Sequence, residues 1–115
     1  MDKPIRHLYG EFSPKQMAEY KSSLHSSIFW LLLYKDPKTS HQWKHVDVDK
    51  YINALLRRVA GLNTLLGEPT AIVTLLSVLQ AIRDENLCED YDWQTYRKLV
   101  LDAQALVDLL PDKGN

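Results

Sequence analysis

The sequence predicts an all-α protein: a single domain over residues 1–115, built as an up-and-down four-helix bundle with a short extended N-terminal arm. Three observations predict this fold class. Long stretches carry apolar residues at helical spacing, clear start and stop signals separate these stretches, and no alternating pattern is long enough for a sheet. With 115 residues, 45% of them apolar and 25% charged, the chain has the size and composition of one globular domain.

The first predicted helix covers residues 13–35 and follows an extended arm over residues 1–12. Ser13 is a preferred N-cap residue, and Pro14 suits the first helical position because its missing N–H needs no partner there. We expect the helix to end before Pro37, since a residue that precedes proline avoids helical geometry.

The second predicted helix covers residues 47–66. Asp47 is a good N-cap, and Gly67 readily adopts the left-handed conformation that ends a helix. Apolar residues at the 3, 4, 7 spacing form one face between these signals: Ile52, Leu55, Leu56, Val59, Leu62 and Leu66. Asn63 falls inside this face, so we expect its side chain either to find a hydrogen-bond partner or to cost stability, and a local cap near Gly67 is the favoured role.

The third and fourth predicted helices cover residues 69–86 and 92–110. Pro69 begins the third, Asp92 caps the fourth, and Pro111 stops it. The apolar stripe of the third helix is Ile72, Leu75, Leu76, Leu79 and Ile82. The stripe of the fourth is Trp93, Tyr96, Val100, Ala103, Val107 and Leu110. Because short connections make consecutive helices antiparallel, the four helices should alternate up and down.

One segment, IFWLLLY at residues 28–34, is apolar or aromatic on every side of the first helix. Away from the core face, its side chains form two pairs, one on each side: Phe29 with Leu33, and Trp30 with Tyr34. Three interpretations are open. The arm or the following loop covers the segment, or a second protein covers it, or it lines a pocket for a lipid or small ligand. We favour the contact with a second protein, because monomers avoid exposing contiguous apolar patches.

The most direct form of such a contact is a twofold homodimer. Aromatic and large apolar side chains are the usual anchors of interfaces. The residues that we expect to form the contact are Phe29, Trp30, Leu33 and Tyr34, with Trp43 from the following loop as a possible lid.

Two loops at one end of the predicted bundle carry opposite charge. Residues 35–46 contain three lysines, and residues 84–92 contain five carboxylates. The loops therefore either attract each other or bind a charged partner. His41 and His45 in the first loop and Cys88 in the second are the candidate metal ligands. However, the HExxH pattern is absent and Lys44 lies between the histidines, so we predict neither a metal nor a cofactor.

Several function classes are disfavoured by the sequence. It lacks a phosphate-binding glycine loop and a nucleophile elbow, so we predict no enzymatic activity. A net charge of −1, and a would-be recognition helix at residues 70–80 without Lys or Arg, disfavour nucleic acid. The N-terminus lacks a secretory signal, the apolar run is far shorter than the roughly 20 residues of a membrane span, and there is one cysteine, so we expect a cytoplasmic protein without a membrane partner.

The sequence as a whole predicts a small non-catalytic helical protein that acts through protein–protein contacts, self-associates as a homodimer, and has an accessory or regulatory role. The alternative is an accessory protein that associates weakly with nucleic acid, or a helical bundle that binds a small ligand or metal.

Overall fold

Four α-helices form the body of the protein in the computed structural model, which describes residues 5–7, 10–12 and 14–110. The helices are α1 (Pro14–Lys35), α2 (Val48–Leu65), α3 (Thr70–Leu87) and α4 (Trp93–Asp108), and a 3₁₀ turn, Ser40–Trp43, lies between α1 and α2. Every helix begins and ends within two residues of its predicted range. The prediction of an all-α protein is confirmed.

The N-terminal arm contains a short antiparallel hairpin of two strands, β1 (Ile5–His7) and β2 (Gly10–Phe12). Ile5 pairs with Phe12 and His7 with Gly10. Each strand has three residues, so this hairpin is a local feature of the arm and adds no sheet layer to the bundle. The predicted N-cap of α1, Ser13, lies outside the described residues.

The predicted caps of α2 and α4 are confirmed. The Asp47 carboxylate accepts a bond from the Lys50 backbone N–H at 3.0 Å. The Asp92 carboxylate accepts the backbone N–H of Thr95 at 3.1 Å and its hydroxyl at 2.7 Å. Both bonds lower the pKa of Asp92, and the bond from the Thr95 hydroxyl has the larger effect. Pro69 differs from its prediction, because it is the extended N-cap of α3 and not its first helical residue.

The turn after α2 is a Schellman motif centred on Gly67. The Gly67 N–H donates to the Thr64 carbonyl at 3.3 Å, and the Glu68 N–H donates to the Asn63 carbonyl at 2.8 Å. Gly67 has a φ of 77°, as its predicted role requires, and Glu68 follows it with a φ of 59°. Two consecutive left-handed residues reverse the chain at once, so α3 packs directly against α2.

Two glycine substitutions should change stability in opposite directions. Gly61 lies exposed inside α2 with nothing within 4 Å of an added Cβ, so Gly61→Ala should raise the free energy of unfolding by about 0.5–1 kcal/mol. A Cβ at Gly67 is equally unobstructed, but the left-handed φ should make Gly67→Ala lower it by about 1 kcal/mol. Urea unfolding of both variants measures the difference. Equal effects would contradict a purely conformational origin.

The core runs along the inner faces of all four helices, and the predicted stripes supply it. The fully enclosed side chains include Met17, Leu24, Ile28, Leu31, Ile52, Val59, Ile72, Leu75, Leu79, Ile82, Tyr96, Val100 and Ala103. Three members of the predicted stripes are only partly buried at the edge of the core: Leu66, Leu76 and Trp93. Tyr20 of α1 lies at the same edge.

Hydrogen bonds between α1 and its neighbours give the direction of the helices. Gln104, late in α4, donates to the His25 carbonyl in the middle of α1. Tyr96, early in α4, donates to the Leu31 carbonyl near the end of α1 at 2.9 Å. Residue numbers therefore increase along α1 in the direction in which they decrease along α4, so the two helices are antiparallel. The hydrogen bonds between α1 and α2 give the same antiparallel arrangement. Backbone contacts are extensive between α1 and α4, α2 and α3, and α3 and α4, but sparse between α1 and α2. The up-and-down bundle is confirmed, with a wide seam between its first two helices.

Candidate interaction surface on helix α1

The solvent-facing side of α1 is the surface on which the candidate contact residues lie. The opposite side of the helix is fully committed to the core, because Ile28 and Leu31 have no exposed surface. Phe29 is 46% exposed and Trp30 is 37% exposed, whereas Leu33 and Tyr34 are half-buried. The apolar run therefore continues past the core face and reaches solvent.

Tyr34 and Trp30 belong to an aromatic cluster that also includes Trp43 and Tyr51. The Trp43 ring meets Trp30 edge-on, with the ring centroids 5.1 Å apart, and meets Tyr34 at 5.8 Å. Tyr51 of α2 meets Tyr34 at 5.2 Å, also edge-on. Edge-to-face pairs at these separations each contribute about 0.5–1.5 kcal/mol beyond the area they bury. The structure thus brings the predicted loop residue Trp43 onto the predicted helix residues Trp30 and Tyr34.

The loop that carries Trp43 is tied to the end of α1 by hydrogen bonds. The Thr39 hydroxyl donates to the Leu33 carbonyl at 2.7 Å. Asp36 accepts three backbone bonds, from Lys38 N–H on its carboxylate at 2.9 Å and from Thr39 and Ser40 N–H on its carbonyl. The Leu33 carbonyl near the end of α1 thus has a partner, and the bonds to Asp36 fold the loop back, so the 3₁₀ turn holds Trp43 against the helix.

Phe29, Leu33 and the outer edge of Trp30 remain on the solvent side of α1. From residue 22 to residue 34 the helix contains no Lys, Arg, Asp or Glu. We call Phe29, Trp30 and Leu33 the apolar patch. The patch is uncharged and contiguous along α1, which is unusual for a solvated helix face.

The wide seam between α1 and α2 is bridged by long polar side chains. Tyr51 donates to the Ser27 carbonyl at 2.7 Å, and burial raises the pKa of this tyrosine, with the nearby Tyr34 adding to the effect. Arg58 donates to the hydroxyls of Ser23 at 2.6 Å and Ser27 at 3.2 Å. Ser27, Tyr51 and Arg58 border a small surface depression of about 140 Å³. The seam is therefore an internal contact of the bundle.

The two oppositely charged loops do lie at the same pole, but an ion pair does not join them in the described residues 35–46 and 84–92. Lys35 instead places its ammonium group 4.5 Å from the centre of the Tyr91 ring. Burial lowers the pKa of Lys35. Burial, with the carboxylates of Glu85 and Asp92, raises the pKa of Tyr91 to about 12. The loops thus meet through a cation–π contact, which the charge pattern alone did not predict.

His41, His45 and Cys88 are all exposed. Among residues 14–110, His, Cys, Asp and Glu side chains do not form a group of three or more that could hold a metal ion. His45 instead has its ring 6.3 Å from that of Trp43. The structure does not bring the three candidate ligands together as a set.

Of the two alternatives for the Asn63 side chain, the structure shows the one without a hydrogen-bond partner. Its side chain is buried, with 9% exposed, and its Oδ1 atom accepts no hydrogen bond. The backbone of this residue, through its carbonyl, takes part in the Schellman turn while the side chain lies among core residues. A buried carbonyl oxygen without a partner costs about 1–3 kcal/mol, so this position weakens the end of α2.

Sequence reasoning missed two features of the surface. Tyr51 precedes the apolar stripe of α2 by one residue, and only the tertiary contact with Tyr34 reveals its place in the aromatic cluster. A groove between α2 and α3 was also missed, although its α3 side has a regular spacing in the sequence.

None of the helices in residues 14–110 is long and apolar enough to cross a membrane. Comparison of the chain with protein-family models, with curated proteins and with solved structures finds no match.

Proposed function

We propose that this protein is a non-catalytic interaction module that works in the cytoplasm and self-associates through the apolar patch on α1, as a twofold homodimer. The observation that carries the proposal is the exposure of Phe29 and Trp30 on a helix face without charged residues. Burial of exposed apolar area stabilises an association by about 25 cal/mol per Å² before the entropic costs of binding.

The absence of charge on this face favours a second copy of the chain as the occupant. A twofold interface sets each residue of the face against the same surface of the mate, so a charged face would repel its own copy. In residues 22–34 of α1 such repulsion does not arise, and small serines flank the aromatic side chains. Trp43 packs edge-on against Trp30, so this side chain of the patch is held in place before association.

The solution mass of the protein tests the proposal. We expect wild type to sediment with twice the 13.3 kDa mass of the chain, and Phe29→Asp to sediment as the 13.3 kDa monomer with unchanged helical circular dichroism. Because Phe29 is exposed, we expect the Phe29→Asp variant to fold like wild type. Leu109→Asp is the matched control, because Leu109 is 69% exposed at the end of α4, so this variant should remain a dimer.

If wild type stays monomeric at about 1 mM, the free energy of self-association is less favourable than about −4 kcal/mol. That result would overturn the proposal. Equal loss of the dimer in Phe29→Asp and Leu109→Asp would also overturn it, since the patch would then have no special role.

A further inference from the structure

A groove runs between α2 and α3, and the exposed face of α1 has no part in it. Its volume is about 380 Å³. The floor is apolar and the rim is polar. The floor residues are Leu56, Ala60 and Leu76, and the rim residues are Asn53, Arg57, Gln80 and Arg83. A groove with an apolar floor and a few polar groups on its rim has the character of a recognition site.

The α3 side of the groove follows a regular spacing of three and four residues on one helix face. Leu76, Gln80 and Arg83 line the groove from α3. Val73 and Leu87 continue the same spacing outside the groove and are 44% and 62% exposed. On α2, Leu56 and Ala60 contribute the apolar lining.

The rim of the groove is positively charged. Arg57 is exposed and makes no ion pair with any carboxylate in residues 14–110. Arg83 contacts Asp84 through its Nε atom at 3.7 Å, with both side chains exposed, and such a pair contributes little. Asp49 accepts a hydrogen bond from the Asn53 amide at 3.3 Å through Oδ2, and its Oδ1 atom is buried without a hydrogen-bond partner. The two guanidinium groups therefore keep donors for carboxylates from outside, which arginine binds in a planar, forked geometry.

We propose that this groove binds an acidic segment of a partner protein, which inserts a leucine-sized side chain onto the apolar floor while its flanking carboxylates bind Arg57 and Arg83. An amphipathic segment lying in a groove between two helices is a common mode of recognition. The site is separate from the proposed dimer contact, because it uses different helices. It therefore gives the protein a second surface, through which a self-associated pair would hold two copies of its partner.

A short peptide of the required chemistry tests the proposal. The probe is a fluorescein-labelled peptide with the sequence of residues 84–92, in which serine replaces Cys88, because this segment places one leucine among five carboxylates. We expect saturable binding to the full-length protein by fluorescence anisotropy, with an affinity between micromolar and millimolar that falls as salt increases. Replacement of the peptide leucine by serine should weaken binding at least tenfold.

Variants of the protein locate the binding. Arg57→Glu and Arg83→Glu should each weaken the peptide at least tenfold with unchanged thermal unfolding. Arg97→Glu, which reverses an exposed charge on α4, is the matched control and should bind like wild type. Lack of saturable binding at millimolar peptide, or equal losses in Arg57→Glu and Arg97→Glu, would overturn the proposal. If Arg57→Glu instead dissociates the protein without peptide, the occupant is a second copy and the assignment to another partner is wrong.

Discussion

Replacement of Tyr96 by alanine is expected to lower the free energy of unfolding by about 3–5 kcal/mol, the range for removing a large aromatic side chain from a core. Tyr96 has no exposed surface and lies where α4 meets α1. Its ring contacts those of Tyr91 at 5.8 Å and Trp93 at 6.0 Å, and its hydroxyl donates to the Leu31 carbonyl at 2.9 Å. Alanine would remove these contacts and leave a cavity in the centre of the bundle.

Tyr96→Phe separates the ring from the hydroxyl. It keeps the ring contacts and loses one buried hydrogen bond, so we expect a loss of about 1 kcal/mol. Urea unfolding of both variants, followed by circular dichroism, measures the two values. Equal losses in the two variants would show that the hydroxyl carries the stability and that the ring does not. A loss below about 1 kcal/mol in the alanine variant would show that the bundle closes the cavity.

The second large effect should appear at alkaline pH. Burial raises the pKa of Tyr96 above the ordinary value of 10, with Tyr91 and Tyr51 adding to the effect. In the unfolded chain this tyrosine ionises near pH 10, whereas in the folded protein it keeps its proton. Its contribution to stability is therefore complete below pH 10 and is lost as pH rises above it. Above pH 10, the free energy of unfolding falls by about 1.4 kcal/mol per pH unit for each tyrosine that ionises in the unfolded chain but stays protonated in the folded protein.

Thermal unfolding between pH 8 and pH 11.5 measures this dependence. We expect a flat melting temperature up to about pH 9.5 and a steep fall above it. Tyr91, whose pKa is raised to about 12, should contribute to the fall in the same direction. The matched control is Tyr96→Phe, which should show a shallower fall because it has one fewer tyrosine to ionise. Identical slopes in wild type and Tyr96→Phe would contradict the assignment to Tyr96.

The candidate surface was only partly predictable from the residues. Helical spacing identified Phe29 and Leu33 as lying away from the core, because the angle between consecutive residues on a helix is fixed. The spacing could not show that Trp30 and Tyr34 turn toward the seam with α2. That arrangement depends on the path of residues 36–43, where hydrogen bonds to Asp36 and Leu33 bring Trp43 over the helix.

The groove between α2 and α3 was likewise only partly predictable from helical spacing. Sequence spacing assigned Leu76 to the core stripe of α3, but the residue is only partly buried and forms part of the groove floor. Which side of an apolar stripe meets a neighbouring helix, and which side is left open, depends on how closely the two helices approach. The immediate reversal at Gly67 and Glu68 places α3 beside α2, and the two helices leave Leu56 and Leu76 lining the groove.

By itself the sequence determined the number of helices, their limits to within two residues and most of the residues of the core. These features depend on local interactions, such as the caps formed by Asp47 and Asp92, the left-handed turn at Gly67 and the periodic burial of apolar side chains. Only the tertiary structure decided which parts of the apolar run are covered, that Lys35 meets Tyr91 instead of a carboxylate, and that α2 and α3 leave a basic groove. Those features depend on distances between segments far apart in the chain, and helical periodicity contains no information about such distances.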